Sequence, residues 1–304
     1  LSMQASFGFD TQATGFAIAV VTALVIFGGL NRIAKEVGVM VPIMAGAYIL
    51  VALSVTVMNI SLLPEVLSTV FRCAFDFDAV LGAGFGMALM TGIKRGLFSN
   101  EAGMGAVPNA AATADATHPA KQGFVQALGV YFDTLIVCTA SAMLVLLTPG
   151  WADSGKTGIA LIQQTLSGQL GEWTNAFMSV TVLFFAFSSV IGNYFYGEIN
   201  MDFISRHSAA LWIYRAFVVM MVYLGSVASL GLVWNLADLF MALMAIVNLV
   251  AILLLGKFAF IALDDYIGQK KRGIANPEFD PKVMPSTKGI LCWPRHKDEE
   301  IEQC

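Results

Sequence analysis

Long apolar runs constrain this chain more than any other feature. An apolar stretch of about 18 or more residues can cross the hydrocarbon core of a bilayer as a helix. About seven such stretches are counted by helical length and pattern. They are Ala13 to Leu30, Val39 to Met58, a third over 80–114 with a polar interruption, Phe124 to Leu147, Asn175 to Tyr196, Ala209 to Leu230, and Leu232 to Phe260. Backbone in hydrocarbon must satisfy its own hydrogen bonds, and helices do so within one segment. The expected fold class is therefore an all-α integral membrane protein. Composition agrees. Hydrophobic residues are 57% and charged residues 12%, with a mean hydropathy of +0.74. Soluble domains run at about 45–50% apolar and about 25% charged.

The expected organisation is a transmembrane domain over 1–265 and a polar tail over 266–304. The tail opens on Lys270-Lys271-Arg272 and carries four prolines, so it need not fold. Two pieces outside the spans have helical patterning. Leu63, Val66, Leu67, Val70 and Phe71 form a stripe suited to an interfacial helix. Ile159, Ile162, Leu166 and Leu170 mark a surface helix within 149–174. Pro42 falls in the first turn of the second span, where a missing N–H costs least. Cys73, Cys138, Cys292 and Cys304 lack metal-type spacing, and His118, His207 and His296 fall in loops. The chain starts at Leu1 without a signal peptide and opens almost directly on a span, so it reads as the C-terminal part of a longer protein.

The third span is interrupted by Gly96-Leu97-Phe98-Ser99-Asn100-Glu101-Ala102-Gly103-Met104-Gly105-Ala106-Val107-Pro108-Asn109. Glycine and proline in the middle of a hydrophobic segment point to a discontinuous helix, the sequence mark of a transporter's binding site. Gly96, Gly103 and Gly105 permit backbone geometry that other residues resist. Unwinding frees N–H groups that attract a carboxylate and carbonyls that attract a cation. Ser99 and Asn100 add side-chain ligands. The alternative is a kinked helix packed on a neighbour. Glu101 is either a cation ligand or gate, or a partner for Arg95.

Ser188 and Ser189 form a second polar pair, ahead of Asn193. Paired hydroxyls suit a hard cation, but serines in membrane helices also bond back to the preceding turn. Asp133 and Asp238 are carboxyls in apolar spans, each a functional candidate. For both, the alternative is a structural hydrogen bond near a helix end or between helices, which Asn235, three residues before Asp238, makes attractive there. Arg215 is expected to snorkel to the interface. Alternating the loops places Arg32, Lys35, Lys121, Arg206 and the tail cluster on one side, against Arg72 and Lys156 on the other. The first side, with the C-terminus, is then cytoplasmic. No catalytic set emerges and no enzyme activity is expected. No cofactor and no nucleic-acid partner are expected either.

The run from Gly92 to Ala112, G-I-K-R-G-L-F-S-N-E-A-G-M-G-A-V-P-N-A-A-A, closely resembles the alanine or glycine:cation symporter family, also called sodium:alanine symporters. The likeness continues through His118-Pro119, Gln122-Gly123, Asp133 to Thr139, Phe185 to Ser189, Tyr196-Gly197-Glu198, Trp234 to Asp238 and Met244 to Leu249, up to about residue 265. The resemblance implies a five-plus-five inverted-repeat bundle, as in the bacterial leucine transporter and the amino acid–polyamine–cation superfamily. Here that bundle is partial and lacks its N-terminal helices. It implies sodium-coupled symport of a small neutral amino acid in a bacterial inner membrane, with alternating access around the bilayer midplane. Substrate contacts would come from Phe98, Ser99, Asn100, Gly103, Gly105 and Asn193. Ser188 and Ser189 would contribute to a sodium site, sodium being the coupling ion. The lipid bilayer is the third expected partner. Many family members have tryptophan where Asn193 stands, so the pocket should be larger or wetter here. The other broken helix would lie upstream, so this chain is not expected to transport alone. The alternative is a truncated non-transporting homologue or an amino acid sensor.

Overall fold

The structure is a computed structural model that describes residues 2–28, 30–74, 83–205, 207–287, 290 and 293. Arg206, His296, Cys292, Cys304, residues 80–82 of the third span and the side chains of Arg32, Lys35 and Glu36 lie outside that description. Among the described residues all regular structure is helical. The helices are α1 (Ser2–Phe7), α2 (Thr11–Ile26), α3 (Leu30–Met58), α4 (Leu63–Ala74), α5 (Ala83–Asn100), α6 (Val107–Ala112), α7 (Pro119–Leu146), α8 (Gly158–Leu170), α9 (Trp173–Ile204), α10 (Ser208–Val227) and α11 (Leu230–Lys271). Among the described residues five helices are long and apolar enough to cross a membrane, in α3, α7, α9, α10 and α11, and α2 is a shorter apolar helix.

The exterior fits a lipid solvent. On α11, Val247 is 72% exposed, Leu253 82% and Leu254 73%. Contiguous apolar surface of this kind is not stable against water. With its apolar helices, the chain is a multi-pass membrane protein. At 1.5 Å per residue, the 42 residues of α11 make a rod of about 63 Å, twice the roughly 30 Å hydrocarbon core.

Two compact units divide the chain. One holds 1–96 and 132–238, the other 97–131 and 239–304. In the first unit, α2 packs along α10, and α9 packs on α1, α3, α8 and α10. Tyr48, Ala52 and Val55 of α3 meet Leu144, Leu166 and Met178 in one core cluster. Ile26 of α2 meets Ile191 and Tyr194 of α9 in another. Ser179 of α9 bonds the hydroxyls of Ser2 and Ser6 at 2.7 Å each and accepts from Gln163 Nε2 at 3.1 Å, which fastens α1. α2 begins where Asp10 accepts the Ala13 N–H at 3.0 Å, an ordinary N-cap.

Three local features differ from the sequence reading. Pro42 lies inside α3, because that helix starts at Leu30 and not near Val39. In α7, Asp133–Cys138 is a π-helical turn, a widened ring that often marks function. The third concerns the tail of the second unit, where α11 runs past residue 265 to Lys271 and ends in a Schellman cap. Gly273 (φ 83°) donates to Lys270 O, and Ile274 donates to Gln269 O. The next residues turn back rather than leaving. Gln269 Nε2 donates to Glu278 O at 2.7 Å, and Glu278 N donates to Gln269 Oε1 at 3.1 Å. Phe279 is buried edge-on to His118, its N–H bonded to Thr117 O. A buried phenylalanine and a glutamine amide clamp are among the contacts that dock a segment that composition marks as loose.

Candidate functional site

The interruption in the third span is a real break. α5 ends at Asn100 and α6 begins at Val107. Between them Glu101 (φ 54°), Gly103 (φ 75°) and Gly105 (φ 91°) adopt left-handed geometry. For glutamate that conformation is strained, and it persists only where surroundings impose it. Pro108 sits in the first turn of α6, where its missing N–H does no harm.

Polar side chains take over the bonds that the helix gives up. The Ala102 N–H donates to Asn100 Oδ1 at 2.9 Å. Asn109 Nδ2 donates to the carbonyls of Gly105 (3.1 Å) and Ala106 (3.2 Å). Asn248 Nδ2, from α11, donates to Gly103 O at 3.0 Å. All of these residues lie in the second unit. Phe98, Ser99, Asn100, Gly103 and Gly105 are thus gathered at one break, although Asn100 Oδ1 faces backbone there. The sequence reading gave no role to Asn248. Its signal was an amide in the middle of the Leu239–Leu255 run, costly in hydrocarbon unless paired.

A cavity of the same unit, about 600 Å³, follows α6 into α7. Pro108, Ala111, Gln122, Gln126 and Trp293 are among its walls. Close by, His118 is fully buried. Its Nδ1 accepts from the Ala120 N–H at 3.1 Å, so Nε2 carries the proton and donates to Asp265 at 3.2 Å.

Ser188, Ser189 and Asn193 belong to the first unit, all on α9. Both serine hydroxyls donate to Phe185 O at 2.9 Å. Those bonds use the hydrogens and leave oxygen lone pairs for another partner. Ser189 and Asn193 line a cavity of about 620 Å³ with Ile18, Tyr194, Tyr214 and Phe217.

Two charged clusters in this unit depart from the sequence reading. Asp238 has the expected structural bond between helices, but from α5 and not from Asn235. Arg95 Nη2 grips its two oxygens at 2.8 and 2.9 Å, Lys94 Nζ stands 3.7 Å away, and the Arg95 guanidinium lies 4.2 Å over the Trp234 ring. Arg215 does not snorkel. It donates to Glu198 Oε1 at 2.7 Å and, through Nε, to Tyr194 Oη at 3.0 Å. Tyr214 Oη donates to Tyr194 O at 3.0 Å, and only glycine at 197 leaves room for that ring. A buried carboxylate one turn below Tyr194 supplies a partner nearer than the interface.

Among curated relatives, a probable sodium/glutamine symporter, GlnT of Bacillus subtilis, is 46% identical over 97% of this chain and 61% of its own length. The amino-acid carrier protein AlsT of the same organism is 44% identical over 98% of this chain and 63% of its own. The sodium/alanine symporter AgcS of Methanococcus maripaludis is 39% identical over 84% of this chain and 56% of its own. The chain therefore spans about three-fifths of the length of these relatives. The family model described as the sodium:alanine symporter family matches residues 1–281, and the chain belongs to that family.

Proposed function

We propose that this chain provides the core of a sodium-coupled symporter for a small neutral amino acid, alanine or glycine. Sodium is cargo and driving ion; no resident cofactor takes part. The fold of the working carrier is a five-plus-five inverted repeat, of which this chain forms a part. Substrate and ion meet near the bilayer midplane, and the two sides open in alternation. The carrier sits in a bacterial inner membrane with its C-terminus in the cytoplasm.

The observation that carries this reading is the break between Asn100 and Val107, with its three left-handed residues. A zwitterion needs donors for its carboxylate and acceptors for its ammonium. An interrupted helix offers both from backbone, without a buried formal charge. Phe98 supplies an apolar surface beside Ser99 and Asn100. On α9, Ser188 and Ser189 keep their oxygens available for sodium, and Asn193 sets the width of the cavity beside them. A carrier relative named for glutamine and another named for alanine fit a pocket whose size is tuned at one or two walls.

The test is uptake of labelled alanine by the full-length gene product in proteoliposomes, with an inward sodium gradient and with sodium replaced by choline. Uptake that vanishes in choline is the expected result. Uptake driven equally well by a proton gradient in choline overturns sodium coupling. Competition by unlabelled glycine and glutamine ranks substrate size.

A further inference from the structure

We propose that Asn248 is a positioning residue that holds the break in its open shape from the neighbouring helix. This rests on the break being the substrate site, as argued above. Three observations on α11 and the break point the same way. The Asn248 amide donates to the carbonyl of Gly103, in the middle of the unwound segment. Its Cβ and Cγ stand 3.0 and 3.2 Å from where a Cβ on Gly105 would be. Its neighbours Val247 and Leu249 are exposed apolar residues, so its amide is a polar group in an otherwise greasy stretch.

The geometry separates two roles. Gly105 is left-handed (φ 91°) and lies against Asn248, so the side chain fills the space that a Cβ on Gly105 would need. A pure space-filler there needs only shape. A positioning residue needs the donor, because Gly103 O has lost its helical partner and turns toward whatever N–H is offered. With Asn248 holding Gly103 and Asn109 holding Gly105 and Ala106, the carbonyls of the break are pinned from both sides. Phe98, Ser99 and Asn100 then present themselves to a ligand in one fixed arrangement. Release of Gly103 O lets the segment sample other turns, and each ligand must first select the open one.

The experiment compares Asn248→Leu, which keeps the volume and removes the donor, with Asn248→Ala, which removes both. The full-length carrier is reconstituted, and sodium-driven alanine uptake is measured with amide hydrogen exchange of residues 101–106 in the absence of substrate. A positioning role raises KM and the sodium half-saturation about tenfold in both variants, while Vmax changes less than threefold. Exchange of the Ala102 and Met104 amides, which are bonded to Asn100 Oδ1 and Glu101 O, speeds up about tenfold. Wild-type exchange and KM in the leucine variant, with a defect only in the alanine variant, overturn the proposal in favour of packing. A wild-type carrier without sodium-driven uptake refutes the transport reading, and the exchange comparison still decides what Asn248 does.

Discussion

Removing Arg215 should cost more stability than removing Arg215 and Glu198 together. The pair is 2.7 Å apart, with Glu198 side-chain exposure of 2% and Arg215 of 17%. At an effective dielectric of about 20, Coulomb attraction at that distance is about 6 kcal/mol. Taking the two ions out of water costs several kcal/mol each, so the net value of the intact pair is small. The balance changes when one partner goes. In Arg215→Met the Glu198 carboxylate keeps a buried Oε2 without a hydrogen-bond partner and loses the donor on Oε1. The expected destabilisation is about 3–5 kcal/mol. In Glu198→Gln with Arg215→Met neither charge remains, and the loss should fall to about 1–2 kcal/mol, set by the lost hydrogen bonds to Tyr194 and Glu198. Thermal unfolding of the detergent-purified carrier, followed by size-exclusion profile, supplies the double-mutant cycle. If the double variant is as unstable as Arg215→Met, the burial argument is wrong, and Arg215 acts through its bond to Tyr194 and its guanidinium 5.8 Å over the Phe27 ring.

Gly105→Ala should abolish uptake while the protein still reaches the membrane, since the left-handed backbone costs about 1–2 kcal/mol and the new methyl meets Asn248; normal KM would refute it. Ser189→Ala should raise the sodium half-saturation several-fold more than it lowers Vmax, and an unchanged half-saturation would remove Ser189 from the ion site. Phe279→Ala should loosen the docked tail by about 3–5 kcal/mol, read as faster tryptic cleavage after the exposed Lys282; an unchanged cleavage rate would show that the Gln269 clamp suffices alone.

Five of the seven expected spans were legible as long helices because hydrocarbon admits few backbone solutions, whereas Pro42 and its neighbouring glycines ride inside α3 and only the denser Gly and Pro run at 96–109 opens the helix. Phe98 to Gly105 could be placed at the break for that reason. Side-chain partners were not legible. Arg215 and Glu198 lie 17 positions apart on different helices, and Arg95 and Asp238 lie 143 apart, so no spacing rule reaches either pair. Arg215 found a buried carboxylate on the neighbouring helix, and Asp238 found a half-exposed guanidinium on another, in place of the interface or a local amide. The docked stretch after α11 was not legible for a different cause. Composition averages over a segment, whereas docking needs only Phe279, Gln269 and a glycine at the helix end.

The same distinction separates the break from an ordinary kink. A proline kink loses one or two ladder bonds and leaves neighbouring turns or water to repair them. Here the helix is abandoned from Glu101 to Ala106, and three asparagines take its place: Asn100 accepts from Ala102, Asn109 donates to Gly105 and Ala106, and Asn248 donates to Gly103. An unpaired backbone group in a low-dielectric interior costs about 1–3 kcal/mol. Three of these four bonds are part-buried and the one to Gly103 is exposed, so each contributes nearer the ordinary net value of about 0.5–1.5 kcal/mol, and it is their concentration in six residues that fixes the shape. A sequence that keeps an amide at every one of these places is supporting an open backbone, not tolerating a defect.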